Sequence, residues 1–359
     1  MCGICGELRF DGVKPDRDTL GAMMSRLERR GPDAAGQYAD GSVALGHQRL
    51  SIIDLSERSN QPLVDAELGL VLVFNGTIYN YPELREQLAS RGYHFFTGGD
   101  SEVILKAYAQ WGEECPQHLH GMFAFAIWDI RRQTLFMARD RFGIKPLYYS
   151  LTQKYLRFAS TSQALLAAGG LDTGIDPVAL HHHLTLHAVV PAPRTLLRGL
   201  RKLPPAHSMM IHADGSNTVR RYWQLQPVVP ATDMSEWEWI EALHEALIRS
   251  VERRRTIADV PVGILLSGGL DSSLLVALLA EAGGGELHTF SVGFEDQPEE
   301  RGHEFEFSDM VAELYATKHQ RFSIPDSEVL ARLPEAVDNM AEPMVGQDAV
   351  AFYLLGERV

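Results

Sequence analysis

Two patterns of apolar positions divide the chain. In its first part, short apolar runs of strand length at residues 42–47, 70–74, 122–128 and 134–138 are mixed with stretches that have apolar residues at helical spacing. This mixture predicts an α+β layered domain. In its last part, apolar runs and helical patterns alternate regularly, which predicts repeated βαβ units and a doubly wound α/β sheet. The alternating elements are a strand over 260–266, a helix over 274–282, a strand over 287–293, a helix over 307–317, a strand over 319–324 and a helix over 327–340.

Local signals set the bounds of several elements in the first part. A helix is predicted over 17–30, with Leu20, Met23, Met24 and Leu27 on one apolar face. A second helix is predicted over 81–91, and Gly92 follows its end. The strand over 70–74 stops at Asn75-Gly76, a dipeptide that by itself favours a tight hairpin turn.

A change of composition marks the domain boundary. The segment 208–222 reads as a hairpin around Asp214-Gly215 and is expected to close a first domain over residues 1–223. Residues 224–235 contain Pro227, Pro230 and Thr232 and are typical of a linker. The second domain, residues 236–359, opens with a helix over 237–254, whose predicted apolar face is Trp237, Ile240, Leu243, Leu247 and Val251.

Charge and cysteine content narrow the function. The formal net charge of −14 argues against nucleic acid or an anionic membrane as a partner, because both need a basic surface. The chain has no membrane-spanning apolar run and no signal-peptide pattern at its N-terminus. Its three cysteines, Cys2, Cys5 and Cys115, cannot build a disulfide framework. The expected location is the cytoplasm.

Cys2 is the first candidate for chemistry. Its small side chain permits removal of Met1, which would leave a thiol and a free α-amino group on one residue. An N-terminal amine can deprotonate such a nucleophile. The stretch alone also permits a redox or metal pair of Cys2 with Cys5, or a structural cysteine.

A second candidate is the loop at 267–273, which joins the strand over 260–266 to the following helix. Its two glycines let backbone N–H groups surround an anion at the positive end of the helix. The Lys-Ser/Thr of a Walker loop is missing at the required spacing.

The wording of this loop, SGGLDSS, resembles the pyrophosphate loop of ATP pyrophosphatases, which cleave ATP to AMP and pyrophosphate. The resemblance implies that ATP binds there with Mg²⁺ neutralising its phosphates. Leu265 and Val292 would flank the adenine, and Asp271 is the candidate that meets the metal through the phosphates. The implied phosphate-binding residues are Ser267, Gly268, Gly269, Asp271, Ser272 and Ser273.

Ordered motifs in the first domain resemble the glutaminase domain of class II glutamine amidotransferases, an N-terminal-nucleophile αββα sandwich. They are CGI at 2–4, RGPD at 30–33, GHQRLS at 46–51, FNGTIYN at 74–80, GGDSE at 98–102, GMFAF at 121–125 and ARDRFG at 138–143. The resemblance implies that Cys2 attacks the glutamine amide and that Asn75 and Gly76 form the oxyanion hole. It also implies that Arg49 binds the substrate α-carboxylate and Asp100 its α-ammonium. Cys5 and Cys115 are then expected to be core residues.

A glutaminase followed by a pyrophosphate-loop domain of the adenine nucleotide α-hydrolase type is the layout of the asparagine synthetase family. Membership implies that ammonia from glutamine reaches a small carboxylate acceptor that ATP has adenylated. Finer resemblance, at residues 2–12, 186–197, 290–307 and 342–355, points to the N-acetylglutaminylglutamine amidotransferase branch, which makes an osmoprotectant.

Three expectations about the whole protein accompany this resemblance. The alternatives for its function are asparagine synthetase proper and a glutaminase-only or non-catalytic relative. The family's second glycine-acidic loop is not found before Val359, so the synthetase domain is expected to be incomplete at its C-terminus, with doubtful synthetase activity and exposed apolar surface. A homodimer is expected by resemblance only.

Overall fold

The chain forms two compact units in the computed structural model, Met1–Gln226 and Pro227–Val359. The structure describes residues 1–227, 233–283, 285–296, 302–344 and 348–358. The predicted linker falls across the boundary between the units, and its residues 228–232, which include Pro230 and Thr232, lie outside the described residues.

The first unit, which is described throughout, contains two six-stranded antiparallel sheets and several helices. Its strands are β1 (Gly3–Arg9), β2 (Ala34–Asp40), β3 (Val43–Arg49), β4 (Leu63–Asp65), β5 (Leu70–Ile78), β6 (Gly121–Asp129), β7 (Thr134–Arg139), β8 (Tyr148–Leu151), β9 (Tyr155–Ala159), β10 (Arg201–Lys202), β11 (His207–His212) and β12 (Asn217–Arg221). Its helices are α1 (Arg17–Ser25), α2 (Tyr81–Ala89), α3 (Asp100–Trp111), α4 (Cys115–His118), α5 (Ser162–Ala167) and α6 (Pro177–Thr185). The strand orders are β10-β8-β9-β1-β3-β2 and β12-β11-β7-β6-β5-β4.

Two apolar cores show how these elements are layered. One core lies between the sheets, where Ile4, Leu45 and Phe158 of the first sheet pack with Val73 and Trp128 of the second. The other core lies on the outer face of the second sheet, beneath α2 and α3. Helices α1 and α5 contact the outer face of the first sheet. The order helix, sheet, sheet, helix confirms the predicted αββα sandwich.

Strand β1 begins immediately after Cys2 and lies in the middle of the first sheet, between β3 and β9. Its glycines permit close packing on both faces. A Cβ on Gly3 would lie 2.7 Å from the Cβ of Leu27, and one on Gly6 would lie 2.5 Å from the Phe158 ring. The backbone just after Cys2 is therefore fixed by a central strand and by its neighbours above and below.

Asn75 and Gly76 lie inside strand β5, so the hairpin reading of this dipeptide is wrong. The strand continues its pairing with β6 past them, with Asn75 opposite Ala124 and Ile78 opposite Gly121. A Cβ on Gly76 would lie 2.2 Å from the carbonyl oxygen of Met122, so glycine is required here by close approach rather than by a turn. Long-range pairing with β6 overrides the local turn preference.

The helix predicted over 17–30 ends earlier, at Ser25, and a 3₁₀ turn follows at Glu28–Arg30. The predicted apolar face is still buried, Leu27 included. Gly31 then packs against the backbone of Gln48, where an added Cβ would lie 2.2 Å from the carbonyl oxygen. This contact holds Arg30 close to the end of β3.

The second unit has a parallel sheet of three strands among its described residues, in the order β13-β14-β15. The strands are β13 (Gly263–Leu265), β14 (His288–Phe294) and β15 (Lys318–Ile324), and the helices are α7 (Glu236–Thr256), α8 (Leu270–Glu281), α9 (Phe305–Leu314), α10 (Asp326–Asn339) and α11 (Asp348–Leu355). One core joins the sheet to α7, α8 and α9, and a second joins it to α10 and α11. Helices on both faces of a parallel sheet confirm the predicted doubly wound class.

Two details of the second unit differ from the sequence pattern. The strand predicted over 260–266 is shorter, because only Gly263–Leu265 pair with β14 at this edge of the described sheet. Along α7, Val251 is buried, whereas Trp237, Ile240 and Leu243 are exposed. The amphipathic pattern therefore predicted the helix but not how far along its length the apolar face is covered.

No helix in the described parts of the chain is long and apolar enough to cross a membrane.

Candidate active site

Cys2 is held at the start of β1 by contacts from two loops. The Leu50 N–H donates to its Sγ at 3.4 Å, Sγ lies 3.5 Å from the Leu50 carbonyl oxygen, and Arg30 Nε donates to the Cys2 carbonyl at 3.1 Å. Burial raises the pKa of the thiol above its ordinary value, against a lowering by the Leu50 N–H. While Met1 is present, the nitrogen of Cys2 is part of a peptide bond, so Cys2 has no free amine that could deprotonate its thiol.

A cavity of about 290 Å³ opens beside Cys2, and we call it the Cys2 cavity. It contains all five glutaminase residues that the sequence singled out. Cys2 immediately precedes β1, and the others come from β3, β5 and α3. Its lining is Met1, Cys2, Arg49, Leu50, Ile52, Ile53, Ser59, Gln61, Phe74, Asn75, Gly76, Thr77, Asp100, Ser101, Met122 and Lys145. Residues as far apart in sequence as Cys2 and Asp100 thus meet in one space.

Two N–H donors face this cavity from β5. Asn75 is buried, and its Nδ2 has no hydrogen-bond partner. The N–H groups of Phe74 and Ile78 point away from β6, since they donate to Gln61 Oε1 at 2.6 Å and to Asp100 Oδ2 at 2.9 Å. The two-residue alternation of the ladder directs the Gly76 N–H to the same side. A buried amide without a partner is costly, so this pair of donors suits an oxygen atom supplied by a ligand.

Arg49 reaches the cavity from the end of β3, and a loop fixes its guanidinium. Nη1 donates to the Ser56 carbonyl at 2.8 Å and to Asn60 Oδ1 at 2.7 Å, and Nη2 donates to the Asp54 carbonyl. Three of its five N–H donors are therefore used by loop oxygens, which leaves two for a ligand. The remaining pair is enough for one carboxylate.

Asp54 organises that loop and was missed by the sequence analysis. Its carboxylate accepts hydrogen bonds from Ser56, from Ser59 Oγ at 2.5 Å and from the Gly98 N–H at 2.7 Å. These bonds hold the pKa of Asp54 well below its ordinary value, against the opposing effect of burial. Asp54 thus ties the loop that holds Arg49 to the segment that precedes Asp100. No periodic or motif signal distinguishes such a residue in one sequence.

Asp100 lies in the first turn of α3 with its carboxylate buried in the Cys2 cavity. Burial raises the pKa of Asp100 to about 6, although the Ile78 N–H opposes this by donating to the carboxylate. Glu102 accepts from the N–H groups of Phe96 and Thr97 and so fixes the preceding loop. The cavity therefore has a cationic group, Arg49, and an acidic group, Asp100, in addition to the nucleophile and the two donors.

The other two cysteines are buried in the core. Cys5 lies in the interior of β1 and Cys115 at the start of α4. Burial raises the pKa of Cys5 to about 12 and that of Cys115 well above its ordinary value. No metal-binding group of three or more His, Cys, Asp or Glu residues is present in the described part of the chain.

The loop at 267–273 joins β13 to α8, with Gly269 as the residue before the helix. Gly268 has a φ of +88°, and a Cβ there would lie 2.7 Å from the Ser308 backbone nitrogen. Ser267 Oγ lies 3.0 Å from Ser272 Oγ, which also donates to the Gly269 carbonyl at 3.1 Å. The loop is thus a compact turn at a helix N-terminus, the geometry that suits a phosphate.

A cavity of about 350 Å³ lies at the carboxyl ends of β13 and β14, and we call it the Leu265 cavity. It brings together three of the residues predicted for ATP, namely Leu265, Ser267 and Val292. The others, Gly268, Gly269, Asp271, Ser272 and Ser273, lie on the adjoining loop and first turn of α8 and do not line it. The remaining lining residues are Leu266, Phe290, Ser291, Phe294, Ala351, Phe352 and Leu355. Ligands of open α/β sheets bind at this edge.

We expect Gly268→Ala to destabilise the second unit by about 2–4 kcal/mol, because the new Cβ meets both a positive φ and the α9 backbone. The matched control is Gly283→Ala, where φ is +71° and no atom lies within 4 Å of the added Cβ. That variant is expected to lose only about 1 kcal/mol. Urea unfolding followed by tryptophan fluorescence measures both, and equal losses would contradict the close packing of this loop.

Comparisons with known proteins agree with this two-part layout. Residues 1–223 match the family described as glutamine amidotransferase domain, and residues 242–359 match the family described as asparagine synthase. The chain therefore belongs to the glutamine-hydrolysing asparagine synthetase family.

Asparagine synthetase [glutamine-hydrolyzing] 3 of Bacillus subtilis (strain 168) is 32% identical over 354 residues, which are 94% of this chain and 56% of the relative. Asparagine synthetase [glutamine-hydrolyzing] 1 of the same strain is 36% identical over 362 residues, 99% of this chain and 55% of the relative. The chain thus spans about half the length of these curated relatives. A solved glutamine phosphoribosylpyrophosphate amidotransferase from B. subtilis aligns with a TM-score of 0.49 and 16% identity over 89% of this chain and 90% of that one. A likeness this distant carries no argument about ligands.

Proposed function

We propose that the chain hydrolyses glutamine at Cys2 and belongs to an ATP-dependent amidotransferase that delivers the ammonia to an adenylated carboxylate. The observation that carries the first half is the Cys2 cavity, which contains a thiol, two N–H donors on β5, a cationic group and an acidic group. Each of these groups would interact with one part of a glutamine molecule in the transition state for amide cleavage.

The chemistry assigned to the cavity begins with removal of Met1. The α-amino group of Cys2 then takes the thiol proton, and the sulfur bonds to the side-chain carbonyl carbon of glutamine. The oxyanion that forms accepts hydrogen bonds from Asn75 Nδ2 and the Gly76 N–H. The carbon–nitrogen bond breaks as the amine returns its proton to the leaving nitrogen, and water hydrolyses the thioester to glutamate.

Arg49 and Asp100 are proposed to select glutamine by its α-carboxylate and α-ammonium. Arg49 keeps two N–H donors for the carboxylate after its three bonds to loop oxygens. Asp100 is preorganised by the Ile78 N–H, two residues after Gly76 along β5. The bond from Ile78 to Asp100 therefore couples the site for the α-ammonium to the strand that carries the oxyanion donors.

ATP is proposed to bind the second unit, with its adenine between Leu265 and Val292 and its phosphates at the loop of residues 267–273. Support comes from the Leu265 cavity and from Gly268, whose missing Cβ lets the loop approach α9. Mg²⁺ would be held mainly by the phosphates and water, as is usual for this ion, with Asp271 as the protein group nearby. When bound, the nucleotide activates the acceptor carboxylate.

For the acceptor we propose N-acetylglutaminylglutamine, which would give an osmoprotectant amide, and aspartate is the alternative. The resemblance at residues 186–197 and 342–355 supports N-acetylglutaminylglutamine. Of these residues, 345–347 lie outside the described part of the chain. The names of the relatives from B. subtilis support the second. Pairing of two glutaminase units into a homodimer is part of the same proposal.

Mass spectrometry of the purified protein, before and after treatment with diazo-oxo-norleucine, tests the glutaminase half. We expect loss of Met1, one adduct located on Cys2, and release of glutamate from glutamine by the untreated protein. Retention of Met1, or labelling of Cys5 or Cys115, would contradict the proposed mechanism at Cys2. Pyrophosphate release that depends on one of the two acceptors, assayed with glutamine and ATP, then tests the second half.

A further inference from the structure

Lys145 is a buried cation of the Cys2 cavity that the proposed mechanism does not use. It follows β7 at the end of the segment 140–145, and its side chain is only 5% exposed. The single hydrogen bond of its ammonium is to Met1 Sδ, at 3.1 Å. A thioether is a weak acceptor, so this contact does little to offset the desolvation of the charge.

The charges around Lys145 do not provide a counter-ion either. Within the described residues, no carboxylate lies within ion-pair distance of Nζ. Asp140, the acid whose charge acts on Lys145, has its two oxygens engaged by the N–H groups of Phe123, Phe142, Ile144 and Lys145 itself. Burial and then the charge of Arg30 lower the pKa of Lys145, whereas Cys2 and Asp140 act in the opposite direction. Arg30 is half-buried, and its Nη2 atom is buried without a hydrogen-bond partner.

Two cations, the buried Lys145 and the half-buried Arg30, thus lie beside Cys2, and neither forms an ion pair with a carboxylate in the described part of the chain. A buried unpaired charge normally destabilises a protein. We therefore infer that the ammonium of Lys145 has a charged partner in the active form of the protein, after Met1 is removed. Removal of Met1 takes away the thioether that Lys145 contacts and creates the α-amino group of Cys2 in the same cavity. The anion that can then form beside Lys145 is the Cys2 thiolate.

We propose that Lys145 is a positioning residue for the nucleophile: after Met1 is removed, its ammonium keeps the α-amino group of Cys2 unprotonated until that amine accepts the thiol proton, and then stabilises the Cys2 thiolate. The inference rests on the proposed glutaminase function and adds a group that acts through Cys2 rather than on glutamine. The α-amino group of Met1, which lines the same cavity, is subject to the same influence of Lys145 on its protonation. Its pKa is lowered to about 6, first by burial and also by Arg30 and Lys145, against the opposing influence of Cys2 and Asp33.

Several groups titrate or carry charge near the nucleophile, and the experiment has to separate them. Arg30, Arg49 and Lys145 are cationic, and Asp33, Asp100 and Asp140 are acidic. The pKa of Asp100, raised by burial to about 6, would contribute to the pH dependence of glutamine binding. Alkylation of Cys2 by iodoacetamide in the absence of glutamine reports ionisation of the thiol without that contribution.

The test uses the full chain after mass spectrometry has verified removal of Met1. We expect Lys145→Met to move the pH midpoint of Cys2 alkylation upward by about one unit and to move the acid limb of kcat at saturating glutamine the same way. Activity near neutral pH would fall about tenfold and recover at higher pH. Lys145→Arg keeps the charge and should keep most of the wild-type profile. Lys154→Met removes an exposed lysine of the β8–β9 turn, and should change neither midpoint.

The possible outcomes are distinct. Unchanged midpoints in Lys145→Met would overturn the inference, as would a higher KM for glutamine with no shift of the pH profile, which would assign Lys145 to substrate binding. A purely structural role predicts a lower melting temperature for Lys145→Met, whereas loss of an unpaired buried charge predicts an equal or higher one. If Lys145→Met fails to fold, the same measurements on Lys145→Gln decide. A wild-type chain that hydrolyses no glutamine contradicts the proposed function alone, because the alkylation profile still reads the effect of Lys145 on Cys2.

Discussion

Replacing Cys2 by alanine is expected to abolish glutamine hydrolysis, with a loss of at least about 10³-fold in kcat. The reason is that Cys2 is the one cysteine among the residues that line the cavity. The other thiols, Cys5 and Cys115, are fully buried in the core, and burial raises the pKa of both. The measurement is glutamate release from glutamine, together with the mass of the protein after diazo-oxo-norleucine treatment, where no adduct should form.

Cys115→Ala is the matched control for this prediction. It removes a thiol of equal size at the start of α4, in the core on the outer face of the second sheet and far along the chain from the nucleophile. We expect it to lose stability through the small cavity it creates but to keep glutamine hydrolysis and the adduct on Cys2. Hydrolysis that survives in Cys2→Ala would show that the reaction does not pass through a thioester on this residue.

Replacing Asn75 by alanine is expected to lower kcat by about 10²–10³-fold, with little change in KM for glutamine. The Nδ2 group is buried and has no partner, so it is free to donate when the carbonyl oxygen gains negative charge. An interaction that forms mainly in the transition state affects kcat rather than ground-state binding. Steady-state kinetics with glutamine give both constants.

The control for Asn75→Ala is Asn217→Ala. Asn217 lies at the start of β12, is exposed, and its Nδ2 donates to the Gly215 carbonyl in the hairpin turn. Its replacement should leave both kinetic constants unchanged. A rise in KM alone for Asn75→Ala would instead indicate that the Asn75 amide binds the ground-state substrate, and the oxyanion role would have to pass to the Gly76 N–H.

Regular secondary structure positions most of the residues in the Cys2 cavity, and both predictions depend on that positioning. Cys2 precedes a central strand, Asn75 and Gly76 are inside β5, and Asp100 begins α3. The Arg49 guanidinium is held by a loop, and Asp54 fixes that loop through its carboxylate and its carbonyl. Placement on regular elements keeps donors aimed at the reacting atoms without reorganisation, which is what oxyanion stabilisation requires.

The sequence by itself determined the classes of both units and most of their elements. Apolar spacing is a local property, so α2, β6, β7 and the βαβ alternation of the second unit could be read from it within a few residues. The ordered motifs also named five of the residues that line the Cys2 cavity, although their roles remain proposals.

The tertiary structure decided what depends on distant partners. Asn75-Gly76 carries a strong local turn signal, yet pairing with β6 keeps both residues in a strand, where the Gly76 N–H points away from β6 and both residues line the Cys2 cavity. Asp54 and Lys145 have no sequence pattern of their own, because their importance comes from Gly98 and Met1, which folding brings to them from 44 and 144 residues away. Exposure of Trp237 along α7 likewise depends on which other surfaces cover it. Periodicity reports which side of an element is apolar, whereas burial, pairing and unpaired charge are properties of the neighbours, and only the folded chain supplies those.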